Sequence, residues 1–221
     1  IGIQKVLSHA RRHFPDHTIL IFDHTTASTH HKAKQLAKRF YGEKGVVMVG
    51  TQMALPYLTE GMQVSGVISF EAMRATPSWR VEEQVLRTLL VLRERTSDDL
   101  IVQSRDTADP LLQHTKRGSL ADFYSEEIGM RQMLSYPPFA TLLHLSWQGN
   151  IEQLKTTEAL IEKTLGYFDM QCYNSGTPSR QPVRHALIKV AHADWPNTDL
   201  LARLRSLPPS VRVELCPDRI V

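Results

Sequence analysis

The chain has 221 residues, 42% of them hydrophobic, and a net charge of +3, which is enough material for one sizeable core or two smaller ones; we expect two domains. No apolar run approaches the ~20 residues that span a bilayer, and the start lacks the basic, apolar and small-residue succession of a signal peptide. Cys172 and Cys216 stand far apart and outside any CxxC pair, so no membrane span, disulfide framework or zinc knuckle is encoded and a cytoplasmic location is expected.

The charge is uneven. Residues 1–50 hold eight Lys/Arg against three Asp/Glu, a local +5, together with His9, His13, His17, His24, His30 and His31; such asymmetry suits contact with a polyanion. The first residue is not Met and a helix opens the chain with no element before it, so a piece of a longer protein is expected.

Taken in order, Val6, Leu7, Ala10 and Phe14 form the apolar stripe of a helix over residues 2–14, which Pro15 ends. Residues 18–22 (TILIF) read as a buried strand. Thr29 is placed to cap a second helix, with Ala33, Leu36, Ala37 and Phe40 inward and Lys32, Lys34, Lys38 and Arg39 outward. That outer face, with Lys44 nearby, is a candidate grip on DNA phosphates, or else an ordinary solvated helix face. Adjacent His30 and His31 point about 100° apart on one helix and do not both ligate a metal from that face.

Residues 45–53 (GVVMVGTQM) are a short β-branched-rich strand that stops at Gly50, with Thr51 and Gln52 beyond it. In open α/β sheets a strand end of this kind presents amides and a hydroxyl to phosphate. A third strand is expected over 64–70, an apolar helix over 81–92 and a fourth strand over 100–103, giving one parallel half-sheet of about four strands with right-handed crossovers. Trp79, beside Arg80 in a loop, is a candidate for stacking a base, whereas Trp147 and Trp195 are expected to pack.

After Asp109-Pro110 the alternation gives way to a helical stretch over 120–134, stopped by Ser135-Tyr136-Pro137-Pro138-Phe139 because each Pro removes a donor and forces its predecessor extended. From residue 140 the expected order is strand 141–147, helix 151–165, strand 167–172, strand 185–191, helix 198–207 and strand 211–215. That βαββαβ succession is the ferredoxin-like split sandwich, a scaffold with no fixed function. The expected division is 1–110, a helical connector over 111–139, and 140–221.

Phe123-Tyr124-Ser125-Glu126-Glu127, then Arg131, then Tyr136-Pro137-Pro138-Phe139 resembles the segment that joins the second helicase lobe to the C-terminal domain in the PriA-type family of primosomal replication-restart helicases (primosomal protein N′). Val49-Gly50-Thr51-Gln52-Met53 is similar to that family's motif in the second RecA-like lobe, and residues 64–68, Arg80, Glu83 and 101–103 follow in the family's order. The likeness covers essentially the whole chain. It implies an α/β fold, a RecA-like parallel-sheet helicase lobe followed by a ferredoxin-like α+β C-terminal domain. It also implies a 3′ to 5′ DNA-translocating ATPase that binds forked or single-stranded DNA and works with primosome and single-strand-binding proteins.

In that family the ATP-gripping loop and the Mg²⁺-binding acids lie in a first lobe, and no GxxxxGK[ST] occurs here. What the resemblance carries onto this chain is the coupling loop, Gly50, Thr51 and Gln52. The departures are specific. Pro56-Tyr57 stands where the family has Lys-Gly, Glu71 is the one acid left of an Asp-Ala-Asp, and the glycine-flanked arginine-finger motif is absent, leaving Arg93 or Arg95 as substitutes or as plain surface arginines. The family's zinc-binding cysteines are missing too, so no zinc is expected. The expected function is DNA binding and support of primosome assembly without ATP hydrolysis by this chain alone, the alternative being a non-enzymatic primosome scaffold. An unrelated phosphate-binding enzyme using Gly50 and Thr51 ranks last, since no nucleophile or metal site accompanies them.

Overall fold

The computed structural model describes residues 2–174 and 182–219. The chain forms two compact units, one built from residues 1–75 and 81–118, the other from 76–80 and 119–221. Each unit is described separately below.

The first unit begins with α1 (Ile3–His13), whose buried residues are Leu7 and Ala10, followed by β1 (Thr18–Phe22), α2 (His30–Gly42) and β2 (Val46–Gly50). Thr29 caps α2 by accepting from the Lys32 N–H at 3.3 Å, satisfying one of the donors a helix start leaves open. β1 and β2 pair in parallel from Thr18↔Val46 to Phe22↔Gly50. Phe22, Ala33, Ala37, Ala54 and Leu58 bury together over this ribbon, and full burial of a side chain such as Phe22 contributes about 1.5–3 kcal/mol.

β3 (Met62–Val67) is followed by the short α3 (Phe70–Arg74), then α4 (Val81–Arg95), β4 (Thr96–Val102) and α5 (Pro110–Arg117). β3 and β4 pair in parallel but form a sheet of their own. The expected four-stranded half-sheet is therefore two parallel ribbons of two strands each. The physical reason is composition: β3 reads MQVSGV and β4 opens TSDD, not the continuous apolar runs that a central parallel strand, covered on both faces, requires. Val64 and Ile101 are accordingly 55% and 61% exposed.

The third strand also ends earlier than expected. Ser69 adopts a left-handed backbone, φ 63°, and Phe70, only 1% exposed, starts α3. α5 lies at the start of the stretch expected as a helical connector, with Asp109 at its cap accepting from the Leu111 N–H, Pro110 at its first turn and Gly118 closing it at φ +68°. Arg74 ties this region together by ion pairs to Glu82 and to Asp109.

The second unit contains α6 (Leu120–Met133), β5 (Ala140–Gln148), α7 (Ile151–Leu165), β6 (Met170–Asn174), β7 (Val183–Ala191), α8 (Thr198–Arg205) and β8 (Arg212–Leu215). The strands form one antiparallel sheet in the order β6-β7-β5-β8. Side chains alternate across it. Leu143, Leu145, Trp147, Ala186, Ile188 and Val190 meet Leu154, Ile161 and Leu165 of α7 and Leu200 of α8 in one core. Leu142 and Leu187, on the opposite face, pack with Trp79 in another. Residues 76–80 thus fold with the second unit although the first unit's chain lies on both sides of them.

Candidate functional site

The strand end at Gly50 is built on close approach. A Cβ at position 50 would lie 3.0 Å from both the Cβ and the carbonyl oxygen of Phe22, so glycine suits this position and any larger residue requires its register partner to shift slightly. The Thr51 N–H donates to the Phe22 carbonyl at 3.2 Å, extending the ladder one residue. A single 3₁₀ turn follows over Gln52–Ala54, and Thr51 and Gln52 are both exposed. A free hydroxyl and a free carboxamide therefore stand at the C-terminal end of a parallel ribbon, where ligands of open α/β sheets bind.

The surroundings of this loop are heavily tied. Tyr57 packs its ring on Phe22 at 5.6 Å and meets His30 Nδ1 through its hydroxyl at 3.0 Å. Arg95 donates through Nη1 to the carbonyls of Leu55 and Leu58 at 2.9 and 2.6 Å. Through that one nitrogen it clamps the stretch behind the loop. Arg93 is exposed and lies against the end of α5, where a Cβ on Gly118 would sit 2.7 Å from its Nη1.

Asp23, just past β1, is a self-contained turn. Its Oδ1 accepts from the Thr25 hydroxyl at 2.6 Å and from the Thr25 and Thr26 N–H groups at 2.9 Å each. Those hydrogen bonds, the Thr25 hydroxyl first, hold its carboxyl well below the usual carboxylate range. Glu71 is likewise engaged, accepting from the Arg105 N–H at 2.7 Å and the Ser104 hydroxyl at 3.0 Å, and its pKa is lowered chiefly by that N–H. Neither acid is left as a free base.

The outer face of α2 divides the basic residues proposed from sequence. Lys34 and Lys38, four residues apart on one helix face, are exposed and make no ion pair among the described residues. Arg39, by contrast, pairs with Glu43 at 2.8 Å. Lys44 is also exposed. His31 meets Gln35 at 2.9 Å rather than gathering with His30.

Trp79 lies in the second unit and is 7% exposed. Its indole N–H donates to the Pro217 carbonyl at 2.9 Å, and the guanidinium carbons of Arg80 and Arg131 lie 4.4 and 4.9 Å from its ring. The ring is therefore covered, with no exposed face for a base to stack on. Arg80 also pairs with Asp218 at 3.2 Å. Arg131 pairs with Glu127 at 2.8 Å, both side chains 12% exposed, and Lys189 donates to the Leu134 carbonyl while its ammonium sits 4.5 Å over the Tyr136 ring. The residues that carried the likeness on sequence, Glu127, Arg131 and Tyr136, are here a clasp around Trp79 and the second face of the sheet.

One cluster went unforeseen. His144 of β5 and His185 of β7 are 4% and 6% exposed and share a hydrogen bond between Nε2 and Nδ1 at 3.1 Å, with Tyr173 of β6 stacked 5.4 Å from His185. Burial lowers both histidine pKa values; at His144 the Glu214 carboxylate, 3.5 Å from Nδ1, pulls partly back, and at His185 the neighbouring His144 adds to the lowering. Burial pushes the Tyr173 phenol up to about 12. Among the described residues no group of three or more His, Cys, Asp or Glu side chains is arranged to hold a metal ion, and no helix is long and apolar enough to cross a membrane.

No family model matches the chain. Among curated proteins it is similar to the replication restart protein PriA of Synechocystis, 27% identical over 181 residues covering 77% of this chain and 21% of that protein. It is similar also to PriA of Chlamydia pneumoniae, 25% identical over 72% of this chain and 22% of that protein, and to PriA of Bacillus subtilis, 25% identical over 62% and 18%. The chain spans about a fifth of the length of these relatives. The relatives share one name, and the likeness supports a PriA-like family.

Proposed function

We propose that this chain is the second RecA-like helicase lobe and ferredoxin-like C-terminal domain of a PriA-like protein of replication restart, binding forked or single-stranded DNA and supporting primosome assembly. The observation that carries the reading is the similarity to PriA across 77% of the chain. The antiparallel order β6-β7-β5-β8 agrees with the ferredoxin-like assignment, and the exposed Thr51 and Gln52 agree with a coupling loop. Primosome and single-strand-binding proteins are the partners this reading implies.

Hydrolysis is assigned elsewhere. ATP and Mg²⁺ chemistry in a complete family member draws on a first lobe and an arginine finger; here Arg95 holds the Leu55 and Leu58 carbonyls through Nη1, which supports the expectation that this chain alone does not hydrolyse ATP. Zinc has no place in the reading.

Lys34 and Lys38 are the phosphate contacts to test. Lys34→Glu with Lys38→Glu is expected to leave the fold intact, to weaken binding of forked DNA uniformly across sequences, and to reduce the slope of log affinity against log salt by about 1 for each lysine. Unchanged binding would overturn the assignment of this face. ATPase activity of the chain is expected to be absent, and turnover that disappears in Arg95→Ala would overturn that part.

One observation favours the scaffold reading. Leu120, Tyr124 and Ile128 leave a row of apolar side chains 43–48% exposed along α6, as a protein-binding helix would. Absence of DNA binding at physiological salt, with Lys34 and Lys38 intact, would favour it over the first.

A further inference from the structure

We propose that β8 is the seam of a symmetric dimer, in which two copies of this chain pair edge to edge about Val213. β8 is the last strand in the order β6-β7-β5-β8, so one side of it has no strand partner among the described residues. Its register with β5 sets which backbone groups face outward. Cys216 donates its N–H to the Leu142 carbonyl at 2.7 Å, and Glu214 and Arg212 lie opposite His144 and Ser146, so by alternation these residues direct their backbone groups to β5. The N–H and C=O groups of Val213 and Leu215 then point away from the sheet, as does the Val211 carbonyl; the Val211 N–H is already given to the Pro208 carbonyl at 2.9 Å.

That edge is complementary to itself. In an antiparallel pairing about Val213, each Val213 exchanges both hydrogen bonds with its counterpart, and each Leu215 N–H reaches the Val211 carbonyl of the second copy. Val213 and Leu215 face the helix side of the sheet, 39% and 56% exposed, where with Leu143, Trp195, Leu201 and Leu204 they line an open groove of about 320 Å³. The second copy sets Val213 against Val213 and Leu215 against Val211, covering apolar surface that the single chain leaves wet.

Charge on the opposite face selects the register. Arg212 stands across from Glu214 of the second copy and Glu214 across from its Arg212, in the non-hydrogen-bonded positions where cross-strand side chains come closest. Within one chain the two pair at 2.6 Å, with the Arg212 side chain 74% exposed. A pairing centred on Arg212 or on Glu214 would instead set like charges face to face. The arrangement is isologous and therefore closes at two copies. A seam of one four-residue strand per copy is small beside the ~1,200–2,000 Å² of standard complexes, so the dimer is expected to be weak and concentration-dependent.

The test is sedimentation equilibrium of the whole chain, free of nucleic acid, over a wide concentration range. Proline is tolerated on an edge strand where its missing N–H faces outward, so Val213→Pro is expected to keep the parent circular dichroism, to lose both central donors and to be monomeric. Arg212→Glu and Glu214→Arg each turn both cross-strand pairs into like charges and are expected to weaken dimerisation at least ~10-fold. Mixing those two variants restores opposite charges at both positions and is expected to recover a mixed dimer. A parent chain that stays monomeric throughout, leaving the edge to a strand of another protein, would overturn the seam. So would a Val213→Pro dimer as tight as the parent, or a mixture that associates no better than either charge variant alone.

Discussion

The strand end at Gly50 in the first unit and the clasp around Trp79 in the second put their residues to opposite uses. At Gly50 the backbone is crowded while Thr51 and Gln52 stay exposed; at Trp79 the side chains themselves are the packing, with Arg131, Tyr136 and Pro217 closing around an indole 7% exposed. The difference teaches that a shared motif marks either chemistry or architecture, and that exposure separates the two. A polar group left open beside a tight glycine contact is available for a ligand, whereas an arginine laid on a buried ring is already employed.

The contrast breaks most visibly at the clasp. Trp79→Ala is expected to destabilise the second unit by about 3–5 kcal/mol, the usual cost of removing a buried tryptophan, read as a lowered denaturant midpoint followed by near-ultraviolet circular dichroism. A change within about 0.5 kcal/mol, the range of ordinary surface substitutions, would show that the ring is not a packing element. Next in size is Gly50→Ala. The added methyl meets the Phe22 Cβ and carbonyl at 3.0 Å, and forcing that fit is expected to cost about 1–3 kcal/mol; a neutral variant would mean the ribbon relaxes at this point.

The smallest expected effect is a pH dependence confined to the second unit. His144 and His185 have folded-state pKa values below the ordinary 6.5, chiefly from burial, so above about pH 6.5 both are neutral whether folded or not and their contribution is constant. As pH falls through that value the unfolded chain takes up protons the folded one refuses, and stability is lost until the folded pKa values are reached. Denaturant midpoints measured from pH 7 to pH 5 should fall, and His185→Leu should flatten the fall. An equally steep profile in His185→Leu would place the pH sensitivity elsewhere.

How much of this could be read from the residues alone follows the range of the interactions. β1, β2 and the Thr29-capped α2 were readable because each is set by neighbours in sequence: a continuous apolar run, a capping oxygen, a helical period. The order of elements after residue 140 was readable for the same reason, the apolar runs of β5 and β7 standing out, although β6 begins at Met170 rather than at 167. The ends of α5 within the expected helical connector went unread although Asp109, Pro110 and Gly118 mark them. What lay beyond reach was long-range pairing. Arg95 finds carbonyls 37 and 40 residues away, His144 finds His185 across 41, and Trp79 finds Pro217 across 138. Local pattern carries no record of such partners, so Arg95 read as a possible catalytic group and Trp79 as a possible stacking platform.

The excursion of residues 76–80 bears on where the second unit can be cut. A fragment beginning at Ser119 would keep every strand of the antiparallel sheet but leave behind Trp79 and Arg80, exposing Leu142 and Leu187 on the face that the indole covers. The boundary that contiguity suggests is thus not the boundary that autonomy requires. Any dissection of this protein has to carry a five-residue splint from far upstream, supplied in the same chain or as a separate peptide, if the excised half is to remain soluble and folded.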